Sequence, residues 1–158
     1  MNNILLLIIT TILTLSLQGC ASKNDHDQLR ERINQYYSFE KNKDWNNTYK
    51  YRTKKFREAI KFENYAAEME KGSKGWSLEK VEIKKIVDDN NKAKVVLIFK
   101  EIPPKEYFKQ FNIPDEKITK TSTVTNKGWG IWVYENNDWY SLDAVSRGHL
   151  FMNSQQVW

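Results

Sequence analysis

Few side chains in this sequence are suited to chemistry, and their spacing is poor for catalysis. Cys20 is the sole thiol, which excludes an intrachain disulfide and a multi-cysteine zinc site. The two histidines, His26 and His149, are too few for an ordinary metal centre. A general acid or base needs a group whose pKa sits near the operating pH, often through burial. Only Tyr140, Asp143 and His149 are close enough in sequence to form such a group. Tyr140 is in phase with Leu142 and reads as core-facing. Asp143, in phase with Trp139 and Ser141, reads as capping a turn, and His149 stands beside Arg147 and Gly148. No His–Asp pair occurs at helical or strand spacing, and there is no phosphate-binding loop. The expectation is a domain without catalytic turnover, metal or cofactor.

Cys20 stands in a different setting. It follows an uncharged apolar run, Ile4 to Leu17, and residues 1–19 contain no Lys, Arg, Asp or Glu. The run is short for a bilayer span, which needs about 20 apolar residues, and fits the apolar core of a signal peptide. A spanning helix, or a secretory signal with a chance cysteine, are the other readings. Leu17-Gln18-Gly19-Cys20 resembles the lipobox of bacterial lipoproteins: an aliphatic residue three before the cysteine and a small one directly before it. Gln18 is larger than usual there, and Met1-Asn2-Asn3 lacks the usual basic residue. The resemblance implies cleavage between Gly19 and Cys20, diacylglyceryl modification of the thiol and acylation of the new amine, for instance with palmitate. Two or three acyl chains make a durable anchor where one does not. The protein is then held in the bacterial cell envelope, at the outer membrane facing the periplasm if the host is Gram-negative.

The organisation follows as a signal peptide over 1–19, a lipidated tether over 20–25 and one α+β domain over 26–158. Hydrophobic residues make up 40% and charged residues 28% of the chain, a globular composition. The net charge of +5 is too mild to call for nucleic acid. Residues 41–61 are locally basic, with eight Lys or Arg against Asp44 and Glu58. Aromatics interleave them, and the stretch reads as a solvated helix face with its aromatic side in the core.

Leu29, Ile33, Tyr36, Tyr37 and Glu40 form one stripe of a first helix, from Asp25 to about Lys43. Asp44 can cap a second helix carrying Trp45, Tyr49, Arg52 and Phe56. A third spans Ala59 to Lys71 and stops at Gly72. The period then falls to two. Strands are expected over Ser77–Val87 and Ala93–Phe99, the latter covered on both sides. A long strand over Ile118–Tyr134 should bulge or bend sharply where Gly128 and Gly130 flank Trp129, and a last strand spans Trp139–Asp143.

The Trp45…Tyr49…Phe56 helix, the hairpin ending in Ala93-Lys94-Val95 and the final Trp132-to-Tyr140 hairpin resemble the nuclear-transport-factor-like (cystatin-like, ketosteroid-isomerase-like) superfamily. They are closest to its small bacterial lipoproteins of unassigned function. The usual short strand or hairpin between the second and third helices is not visible. The resemblance implies N-terminal helices packed on a curved, cone-like antiparallel sheet of about four strands. Trp129, Trp132 and Trp139 read by default as core packing, with a ligand-lined cavity or a partner surface as the alternative; with Tyr140, Asp143 and His149 they are the candidates for a pocket or an interaction surface. Three functions stay open: binding an envelope protein, binding a small apolar ligand in the cone, or an isomerase- or dehydratase-like reaction. The first is preferred, with membrane contact through the lipid on Cys20 and no nucleic acid. Replacing Cys20 with Ser is expected to release the protein from membranes or leave residues 1–19 uncut. Mass spectrometry of the membrane fraction checks this, and an unmodified Cys20 thiol in the wild type would contradict it.

Overall fold

A computed structural model describes residues 21–119 and 122–142. Gly19, Cys20, Asp143 and His149 lie outside them. Helices come first and strands second: α1 (Ala21–Lys41), α2 (Trp45–Lys50), α3 (Lys54–Ala59), α4 (Phe62–Gly72), β1 (Ser77–Asp89), β2 (Lys92–Ile102), α5 (Lys105–Lys109), β3 (Val124–Glu135) and β4 (Asp138–Ser141). The strands form one curved, open antiparallel sheet in the order β1-β2-β3-β4. This is the α+β class expected. None of the described helices is long and apolar enough to cross a membrane.

The apolar stripe of α1 fills the concave face of the sheet. Leu29, Ile33, Tyr36 and Tyr37 pack with Val95, Leu97 and Phe99 of β2, Trp132 of β3 and Trp139 of β4. All nine are buried, and each apolar side chain so placed contributes roughly 1.5–3 kcal/mol. The aromatic contacts are edge-on: Tyr36 meets Trp132 at 5.9 Å and Tyr37 meets Phe99 at 5.5 Å between ring centroids. Helix α1 starts at Ala21, inside the segment read as a tether.

Among the described helices only α1 builds this core. The second expected helix is broken in two, because each half has its own cap. Asp44 accepts from the Asn47 backbone N–H at 3.1 Å, and Thr53 accepts from that of Phe56 at 3.2 Å. Between the halves, Arg52 forms a one-residue parallel bridge with Ser141 of β4, and the Tyr51 carbonyl accepts the Ser141 N–H at 2.8 Å. This single bridge pairs the outer edge of β4 at one residue. Helix α4 packs on α2 instead of on the sheet. There Trp45, Tyr65 and Met69 form a second core with Tyr49, Phe56, Phe62 and Ala66.

The curvature has local causes in β1. The β1–β2 register slips between Leu78 and Lys80 and again between Ile83 and Lys85, and each extra residue bends and twists the strand. At the β3–β4 turn Asn136 and Asn137 both have positive φ, 52° and 64°. A type I′ turn requires this, and its twist suits the flanking strands.

Three expectations about the strands need correction. The long strand begins at Val124, not Ile118; Asp115–Lys117 makes a 3-10 turn before it. No bulge occurs at Gly128 or Gly130, since β2 and β3 pair without a slip from Lys92–Val133 to Glu101–Val124. Gly128 is needed for space: a Cβ there would lie 2.8 Å from the Phe99 ring. Finally, among the described residues β2 is covered on one side only. Val96 and Ile98 face the convex side, where no described element packs.

Gly128→Ala is expected to destabilise the fold by about 1–3 kcal/mol, the cost of overpacking. Combining it with Phe99→Leu should cost less than the sum of the two changes, because the smaller side chain vacates the contested space. Denaturant unfolding of the two single variants and the double variant measures that coupling.

Candidate interaction face

Strand alternation divides the expected site residues. Trp132 and Trp139 point inward and are 0% and 1% exposed, so they are core residues and line no surface. Tyr140 lies between buried Trp139 and buried Ser141 and opposite Val133, so the expected inward phase is reversed. Its half-buried ring sits at the sheet edge, 5.9 Å from the guanidinium of Arg32 and 5.6 Å from that of Arg57. Trp129 points outward and is 50% exposed. Asp143 and His149 fall outside the described residues, so the Tyr140–Asp143–His149 grouping has no described geometry.

The fold makes a His–Asp pair that local spacing could not reveal. His26 Nε2 and Asp88 Oδ2 are 2.6 Å apart, linking α1 to the end of β1. The hydrogen bond from His26 holds the Asp88 carboxyl below its ordinary range. Both side chains are over 40% exposed, so the pair lacks the water-excluded setting that tunes catalytic groups.

Inside, polar groups gather where α1, α2, α4 and β4 meet. Arg52 is 1% exposed, and its Nη1 donates to Ser141 Oγ at 3.1 Å. Tyr65 Oη donates to Thr48 Oγ1 at 3.0 Å. Burial pushes the hydroxyls of Tyr36 and Tyr65 above their ordinary range. Both therefore stay protonated at neutral pH and serve as donors, not bases. Among the described residues no group of three or more His, Cys, Asp or Glu could hold a metal ion. The open cleft between α1 and β1 has a volume of about 250 Å³ beside Asn34, Tyr37, Lys41, Leu78 and Glu79. That is below the roughly 300–1,000 Å³ of ligand pockets.

The convex face of the sheet is the surface left with unexplained character. The register lays it out in rows across β1, β2 and β3: Val87–Lys94–Ile131, Lys85–Val96–Trp129, Glu82–Ile98–Lys127 and Lys80–Lys100–Thr125. Lys92, Val133 and Tyr140 continue it toward β4. An aliphatic strip around Trp129 is thus framed by lysines. Lys94 Nζ lies over the indole, 4.8 Å from the ring centroid, a cation–π contact. Lys80 and Lys84 share Glu82 at 2.8 and 2.7 Å, and Lys100 reaches Glu79 at 3.1 Å. Lys85, Lys94 and Lys127 have no acid within ion-pairing distance among the described residues.

This face was missed because its lysines come from three strands, whereas the most basic stretch of sequence is 41–61. The structure consumes part of that stretch internally. Arg52 is buried, and Arg57 Nη1 donates to the carbonyls of Lys50 at 2.6 Å and Arg52 at 2.9 Å. The one signal available was the Lys94-x-Val96-x-Ile98-x-Lys100 alternation of the strand read as doubly covered.

No protein-family model and no curated protein matches this chain. Among solved structures, a SEC-C motif containing protein from Rhodopseudomonas palustris is similar at 8% identity and a TM-score of 0.48. The match covers 68% of this chain and 69% of that one. A Campylobacter jejuni protein described as an NTF2-like transpeptidase is similar at 9% identity and a TM-score of 0.39, over 78% of this chain and all of that one. Neither likeness, at such identities and scores, assigns this chain to a family.

The cation pair around Glu82 sets a pH expectation. Hydrogen bonds from Lys80 and then Lys84 lower its carboxyl from 4.5 to about 2. A lowered folded pKa means that the stabilisation is present above the ordinary value and is lost as the pH falls through about 2. In NMR titration, the Glu82 carboxyl should have its midpoint near about 2. Replacing Lys80 and Lys84 together with Met should return it toward the ordinary glutamate value.

Proposed function

We propose that this protein is a lipid-anchored lipoprotein of the bacterial envelope whose domain works by binding, without catalysis, through the convex face of its sheet. The observation that carries the binding reading is Trp129, half exposed in a lysine-framed aliphatic strip, while the concave face is filled by α1. Exposed aromatic and aliphatic surface of this kind is characteristic of interaction sites. A small apolar ligand held inside the cone is the weaker reading, because Leu29, Ile33, Tyr36, Trp132 and Phe99 already occupy that volume. The anchor rests on the Leu17-Gln18-Gly19-Cys20 motif after an uncharged apolar run. Kinship with the nuclear-transport-factor-like lipoproteins rests on the order of helices before a curved four-stranded sheet.

A photoreactive amino acid at position 129 tests the face in intact envelopes. Adducts are expected from position 129 and not from position 55, where exposed Lys55 stands on α3. Trp129→Ala should also abolish retention of envelope components by the purified protein without changing its melting temperature. Unchanged retention by that variant would count against the face.

A further inference from the structure

From the charge and placement of the convex face, we infer that it docks on the anionic headgroup surface of the bilayer that holds the anchor, with Trp129 at the interface. This deepens the reading above and rests on it. The first argument is charge. Lys80, Lys84, Lys85, Lys92, Lys94, Lys100 and Lys127 stand on or beside this face, with Glu79, Glu82, Asp89, Glu135 and Asp138 as its acids, of which Asp138 pairs with Arg32 at 3.0 Å and Glu135 accepts the Lys54 N–H at 3.1 Å. Glu82 and Glu79 are taken up by Lys80, Lys84 and Lys100. Lys85, Lys94 and Lys127 surround Trp129 with no acidic partner among the described residues. Clustered lysines near a membrane are drawn to anionic lipids, and tryptophan flanked by lysine suits the boundary between headgroups and acyl chains.

The second argument is placement. Helix α1 begins at Ala21, the residue after Cys20, so the anchor is close to its first turn. The early part of α1 is tied to the hairpin-turn end of the sheet. His26 meets Asp88 at 2.6 Å, and Gln28 Nε2 donates to the Asn137 carbonyl at 3.4 Å. The rows Asp89–Lys92–Val133–Tyr140 and Val87–Lys94–Ile131 are at that same end. Val87, 48% exposed, joins Trp129 there as apolar surface facing outward. A domain tethered by its N-terminus therefore needs only to tilt to lay this half of the face on the lipid.

Other occupants fit less well. A second copy would set lysine against lysine, which is repulsive. The chain's own residues 143–158 carry one acid, Asp143, and one base, Arg147, and so bring no net negative charge. An anionic cell-wall polymer shares the charge but makes no use of the aliphatic strip.

The test reconstitutes the full chain in vesicles of brominated phosphatidylcholine, with and without phosphatidylglycerol. The part of the fluorescence lost on Trp129→Phe reports that one indole. Docking predicts bromine quenching of this signal with phosphatidylglycerol present. The quenching should vanish in phosphatidylcholine alone and in about 1 M salt, where the Debye length shrinks to about 3 Å. The triple variant Lys85→Glu, Lys94→Glu, Lys127→Glu should lose it too, while keeping the wild-type circular dichroism. Vesicle flotation in phosphatidylcholine alone reports the anchor separately. A chain that floats but leaves Trp129 unquenched, or equally quenched in both lipids, overturns the docking and spares the anchor. A chain that fails to float, with an unmodified Cys20, overturns the anchor reading instead. Retention on purified anionic wall polymer without lipid quenching would overturn bilayer docking and give the face to the polymer.

Discussion

Everything else in this molecule depends on the filling of the concave sheet face by α1. Four residues of one helical stripe, Leu29, Ile33, Tyr36 and Tyr37, meet side chains from β2, β3 and β4 in a single buried cluster. Edge-on aromatic contacts suit such a cluster, because the positive ring edge meets the negative ring face. A curved sheet offers its inner face either to a ligand or to its own helix. Here the helix has it. Strand alternation then fixes the rest: with Ala93, Val95, Leu97 and Phe99 turned inward, Lys94, Val96, Ile98 and Lys100 must turn outward. The surface that reads as a binding face is the direct complement of the packed core.

The second constraint is polar and holds the helical layer to the sheet. Arg52 would be costly to bury alone. Its position between α2 and α3 gives it the Ser141 hydroxyl, a backbone bridge to the same residue, and the Phe56 ring 4.3 Å from its guanidinium. These contacts sit at the break between the two capped halves and pair the edge of β4 at one residue, where an unpaired strand would otherwise invite pairing with another chain. Tyr65 and Thr48 continue the polar seam into the second core. Buried tyrosines, already protonated at neutral pH and pushed further from ionisation by desolvation, can bridge such a seam as donors.

The two faces also differ in how their charges are satisfied. Arg32 lies over Tyr51 at 3.9 Å and pairs with Asp138 at 3.0 Å, so it serves the junction of α1 with β4. Arg57 is spent on backbone carbonyls. Lysines dominate the convex face, with flexible stems that cover aliphatic surface while their ammonium groups reach solvent. Rigid guanidiniums thus brace the interior and edges, and mobile ammonium groups frame the exposed tryptophan.

The sequence by itself determined the parts that depend on neighbours within a few residues. The stripe of α1, the cap at Asp44, the change from helical to strand period near Ser77 and the Asn136–Asn137 turn were all legible, because each is set by local spacing or backbone preference. So was the uncharged run ending at Cys20. Tertiary structure decided what needed a partner distant in the chain. The inward phase of Trp139 and Ser141 and the outward phase of Tyr140 follow from pairing with β3, and four residues of strand are too few to fix a phase alone. Gly128 read as a bulge because a glycine in a strand often marks one, whereas its reason is the Phe99 ring across the sheet. The break at Arg52 needed Ser141, 89 residues away, and the His26–Asp88 pair spans 62. The lysine-framed face exists only once three strands are in register, since charge that is dispersed in sequence becomes a patch only through cross-strand pairing.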